Sequence, residues 1–184
     1  YQGGISVIDF TDSYNPFEIA YFDRGPILED ELITGGFWSA YYYQGTIYGT
    51  EITRGLDVLK LIPSKYLSEN EIAAAAMAYP VIGPRRLFNP QHQVPMTWPA
   101  APEVARAYID QLMRDDAISE DSAERIGDML DQVTLAMENG GDNRLARQIN
   151  SYRLSAKGSN VSLTQHRLEK LDATLKGIAA GLRG

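Results

Sequence analysis

Gly4–Phe10 (GISVIDF) and Gly55–Leu61 (GLDVLKL) carry one pattern twice, with Gly4 matching Gly55, Val7 matching Val58 and Ile8 matching Leu59. The offset, from 4 to 55, is 51 positions. A repeat of roughly 40–50 residues is one small sheet that cannot bury its own faces and has to stack on a neighbour. The order of elements around the two copies agrees as well. ISVIDF (Ile5–Phe10) and FEIAYFD (Phe17–Asp23) alternate and are rich in β-branched and aromatic residues, and TDSYNP between them supplies Asp, Ser, Asn and Pro for a turn. FWSAYYY (Phe37–Tyr43), a QG turn, TIYGTEI (Thr46–Ile52), TRG and LDVLKLI (Leu56–Ile62) follow as three further strands.

GGISVIDFTDSYNP resembles the LVIVD repeat of secreted bacterial β-propeller proteins, and GTIYGTEITRGLDVLKL looks like the closing repeat of the same proteins. The resemblance covers Tyr1 to about Pro63 and is weaker over the helical remainder. It implies that the front third is the end of a propeller, its strands running C, D of one blade and then A, B, C of the last. It also implies that the chain is a C-terminal piece of something longer, that the upstream blades are its first partners, and that the protein is secreted or at the cell surface. A free-standing meander of five strands is the alternative, since three or more strands can be stable against helices.

Beyond Pro63 the pattern changes from period two to period 3.6. SENE at Ser68–Glu71 is a capping box ahead of IAAAAMA. Six prolines between Tyr79 and Pro102 mark an extended connector. Glu103–Asp116 aligns Val104, Tyr108, Ile109, Leu112 and Met113, and Glu120–Glu138 aligns Ala123, Ile126, Leu130, Val133 and Met137. A shorter helix with Leu145, Ile149 and Tyr152 follows. SLTQ at Ser162–Gln165 then opens a last one with Leu168, Leu171, Leu175, Ile178 and Leu182. The expected class is α+β, an antiparallel β-meander followed by a helical bundle. Its divisions are 1–63 (blade remnant), 64–102 (short helix and Pro-rich connector) and 103–184 (bundle).

The formal net charge is −7, and residues 1–62 hold nine acidic and three basic side chains, so a phosphate backbone is not the expected partner. No apolar run is long enough to span a membrane. There are no cysteines and two histidines, His92 and His166, too few for a metal site, and no cofactor motif is present. Asn160 begins a formal glycosylation sequon, with Ser162 better explained as a helix cap.

The long loop Asp23–Gly36 and the turn after Thr46–Ile52 should emerge on one face, where long polar loops on a rigid scaffold carry function. That rim collects Arg24, Glu29, Asp30, Glu31, Glu51 and Arg54, with Trp38 near the axis. Arg24, Trp38, Glu51 and Arg54 are the candidate binding residues, for a protein or small-molecule ligand. Solvated charges and an ordinary Glu51–Arg54 surface pair account for the same residues without a ligand. The functional expectation is a noncatalytic surface or secreted binding module. The alternative is a propeller enzyme, hydrolase-like, with a site in the axial funnel made mostly outside this stretch.

Overall fold

The computed structural model describes residues 3–82, 94–154 and 162–183. It is an α+β chain, with five strands first in the sequence and, after one short helix and a two-stranded ribbon, four further helices among the described residues. It divides into two units, Tyr1–Ala76 and Met77–Gly184.

In the first unit β1 (Ile5–Asp9) pairs antiparallel with β2 (Phe17–Phe22). β3 (Phe37–Tyr43), β4 (Thr46–Glu51) and β5 (Gly55–Leu59) form a second antiparallel sheet in that order. The matched strands of the repeat, β1 and β5, therefore lie in different sheets. The β1–β2 turn is closed by its own side chains. Asp12 Oδ1 accepts from the Tyr14 N–H at 3.0 Å and Oδ2 from the Asn15 amide at 2.8 Å. The β3–β4 turn is the two-residue Gln44–Gly45, both at positive φ (45° and 80°), as a right-twisted hairpin requires.

Alternation along β4 shows how the sheets stack. Ile47, Gly49 and Glu51 are buried, whereas Tyr48 and Thr50 are exposed. A Cβ on Gly49 would sit 2.8 Å from Ile5 Cδ1 and 2.6 Å from the Phe37 ring, so only glycine lets β1 approach this closely. Ile5 and Ile47 are both 8% exposed, and Phe22 meets Phe37 edge-on with centroids 6.0 Å apart. The Phe37 N–H donates to the Gly3 carbonyl at 3.1 Å, and Arg24 pairs with Asp57 while lying 5.3 Å over the Phe22 ring. The matched residues thus take opposite environments. Ile5 of β1 is buried against the next sheet, while its counterpart Leu56 on β5 is 62% exposed and Val58 59%. The matched glycines differ too: Gly55 is at φ +91° in open space, whereas a Cβ on Gly4 would strike the Phe22 carbonyl oxygen at 2.1 Å.

α1 (Glu69–Ala76) belongs to this unit. The capping box is present: the Glu71 N–H donates to Ser68 Oγ at 3.1 Å and the Ser68 N–H to Glu71 Oε2 at 2.7 Å. Phe17 and Tyr66 stack edge-on at 5.9 Å.

The second unit begins with a short ribbon, β6 (Tyr79–Pro80) against β7 (Met96–Thr97). α2 (Pro102–Arg114), α3 (Glu120–Glu138), α4 (Asn143–Ser151) and α5 (Ser162–Gly181) follow. α5 packs on α2 and α4, and α2 on α3, around Leu112, Ile126, Leu130, Val133, Leu171 and Ile178. Ser119 caps α3, accepting from the Ser122 N–H, and Asp142 caps α4, accepting from the Arg144 and Leu145 N–H groups. Gly141, at φ +102°, passes so close to the end of α5 that a Cβ would lie 2.5 Å from the Leu182 carbonyl oxygen.

One expectation is corrected here. Met137 is 50% exposed, and Met129 takes the buried place on α3 because the stripe drifts around a 3.6-residue helix. α5 starts at Ser162, and the Gln165 amide donates to Glu169 Oε1 at 2.9 Å. The helical stripe also hides a charge: Arg167 is 5% exposed, its Nη1 donating to Asp115 Oδ2. His166 is exposed, and His92 and Asn160 lie outside the described residues.

Candidate rim cleft

The Asp23–Gly36 loop and the turn after β4 do come together. The Ile52 N–H donates to the Gly36 carbonyl at 3.0 Å, Thr53 Oγ1 to the Thr34 carbonyl at 3.0 Å, and Arg54 Nη2 to the Pro26 carbonyl at 3.4 Å. Between them lies a cleft bounded by Asp23, Arg24, Gly36, Phe37, Glu51 and Arg54. Its enclosed space is about 10 Å³, room for a single water rather than a metabolite. Three of the four candidate residues line it, and Trp38 does not.

Glu51 is the centre of the arrangement. Its Oε1 accepts from the Gly36 N–H at 2.5 Å, and its Oε2 accepts from the Thr53 N–H at 2.9 Å and from the Arg54 N–H. The side chain is buried, and it fastens the loop before β3 to the turn before β5. Gly35 beside it makes room for the Ile27 side chain, which a Cβ at that position would strike, while Glu51 Oε1 would stay at ordinary contact, 3.4 Å. The glycine pair Gly35–Gly36 was the available sequence signal for this clasp. Arg54 reaches the Pro26 carbonyl rather than closing a salt bridge with Glu51, and its charge adds only a through-space attraction. Asp23 Oδ1 accepts from the Gly25 N–H at 3.0 Å, so both carboxylates of the cleft serve the backbone.

Trp38 is displayed by a different device. Phe37 pairs with Glu51 and Ser39 with Thr50, leaving Trp38 as the extra residue of a β-bulge. It is 76% exposed, as expected for a bulge that re-aims a side chain. Glu29, Asp30 and Glu31 are exposed along the loop. Sequence reasoning missed Asp57, which faces inward from β5 and holds Arg24; its Oδ2 has no hydrogen-bond partner among the described residues.

Burial pushes the Glu51 carboxyl up, but the N–H groups of Gly36, Arg54 and Thr53 and the Arg54 charge outweigh it and hold the group below its ordinary value of 4.5. A lowered folded-state value means that the clasp stabilises fully above the unfolded-state value and is lost as pH falls through the folded one. The Gly36, Thr53 and Arg54 amide resonances should therefore titrate together, with a midpoint below 4.5, and Glu51→Gln should abolish that shared transition. A midpoint at or above the ordinary value would show that these amides do not hold the carboxylate.

Among the described residues no group of three or more His, Asp or Glu side chains is placed to hold a metal ion, and no helix is long and apolar enough to cross a membrane. No family model, curated protein or solved structure matches the chain.

Proposed function

We propose that the protein is a noncatalytic interaction module whose strands are the stacked sheets of a β-propeller, acting at a secreted or cell-surface location. The observation that carries this is the inverted environment of the repeat. Ile5 and Val7 of β1 face the next sheet, whereas Leu56 and Val58, at the same repeat positions, stand in solvent. The face that carries them is uncharged over two rows, Tyr41–Tyr48–Val58 and Ser39–Thr50–Leu56. A sheet with one face stacked and an equally apolar face open is built to receive a further layer, in a propeller the adjoining blade. The negative charge of the rest of residues 1–62 makes this neutral face the place where two such surfaces meet without repulsion. Within the cleft, both Glu51 oxygens and Asp23 Oδ1 are engaged by backbone N–H groups, which gives these carboxylates a structural rather than a chemical role.

Replacing Leu56 and Val58 together by lysine tests this. The wild-type chain should self-associate with rising concentration in sedimentation velocity, and the double variant should stay monomeric with its melting temperature within about 3 °C, as for surface substitutions. A monomeric wild-type chain, or a variant that melts far lower, would show that the face is not an interaction surface.

A further inference from the structure

β1 and β5 are the matched strands of the repeat, and β1 is paired along one edge by β2. The segment 51 positions beyond β2 starts at Ser68, reads SENEIA and enters α1 instead of forming a strand. β5 therefore ends its sheet, and among the described residues no strand pairs with its outer side. Gly55–Leu59 carries no proline or lysine to block pairing, and the inward charge of its one ionised residue, Asp57, is neutralised by Arg24. Leu56 and Val58 remain exposed beside it.

We infer that the free edge of β5 is a strand-addition site. Its occupant is an extended segment with the pattern of β2, Phe, Ile and Tyr on one face and Glu, Ala and Phe on the other, laid antiparallel in the register that β2 takes on β1. Main-chain hydrogen bonds along the edge supply the affinity, and the alternating side chains select the register. On β1, Val7 faces Ala20 and Ile5 faces Phe22. Carried across the repeat, Val58 faces the Ala20 position of the incoming strand and Leu56 the Phe22 position. The inference rests on the repeat stacking proposed above, but it concerns an edge rather than a face, so the lysine variant and the experiment below fail independently.

The chain has no cysteine, so a single Val58→Cys substitution at an exposed position reports its neighbour alone. The probe is a synthetic peptide with the sequence of residues 16–23, PFEIAYFD, carrying cysteine in place of Ala20, mixed with the full-chain variant in a glutathione redox buffer. Directly opposed residues lie ~4.5–5.5 Å apart, within disulfide reach. The expected result is a mixed disulfide formed on the order of tenfold more than with a peptide carrying its cysteine in place of Tyr21, whose side chain falls on the other face. Equal cross-linking by the two peptides, or none, overturns the proposal. So does preferential cross-linking to a Val7→Cys chain, which would mean that the peptide displaces β2 from β1.

Discussion

Leu130→Ala should destabilise the helical unit by about 2–5 kcal/mol, the range for emptying a fully buried leucine site. Leu130 is 0% exposed and lies among Ile126, Val133 and Leu112, so the methyl groups it loses leave a cavity rather than open water. A domain of this size is stable by only about 5–15 kcal/mol in total. The helical signal in circular dichroism should therefore melt lower by about 4–8 °C for each kcal/mol lost. Leu135 is on the same helix but 61% exposed, and Leu135→Ala should change stability by no more than about 0.5 kcal/mol. Similar losses at the two positions would mean that α3 is rotated from the orientation described.

Arg167→Ala should be nearly as damaging for a different reason. The Arg167 guanidinium is buried on α5 with Asp115, the C-cap of α2, as its acidic partner, and its Nε has no hydrogen-bond partner among the described residues. Removing one member of a buried pair typically costs ~3–5 kcal/mol because the other charge is left uncompensated. The Asp115 side chain keeps 34% of its surface in water, which moves the expected loss to about 2–3 kcal/mol. Arg167→Met fills the same space without a charge, and with Asp115→Asn it should recover most of that loss, since well-packed apolar replacements of buried pairs are often neutral. Chemical denaturation of the three variants gives the ranking. An Arg167→Ala chain as stable as wild type would show that the pair does not hold α5 to α2.

The helices were legible because their periodicity is local. Ile126, Leu130 and Val133 fix a face at spacings of three and four, and Ser68 with Glu71 marks a helix start within four residues. The strands were legible for the same reason, and the repeat placed β1 and β5 in separate sheets. What stayed hidden depends on partners distant in sequence. Arg167 reads as a surface charge until Asp115, 52 positions away, is brought beside it. Glu51 was expected on a solvated rim, and its role is set by the Gly36 amide across the sheet. The bulge that exposes Trp38 has no compositional mark in FWSAYYY, because it is a property of the pairing with β4 and not of β3 alone. Gathering Arg24, Glu51 and Arg54 on one side followed from strand order, whereas the tightness of the cleft between them follows from side-chain packing.

The Glu51 clasp also decides where this scaffold tolerates novelty. It holds Gly36 and the 52–54 turn together, and the Arg54–Pro26 hydrogen bond meets the chain again at the loop's other end. The intervening stretch, 28–32, is exposed throughout. Once the ends of a loop are fixed, doubling its length adds only ~0.6 kcal/mol of closure entropy. Foreign sequence of varied length can therefore be spliced between Leu28 and Leu32 while the strands on either side keep their register, which makes this segment a natural port for grafting recognition loops.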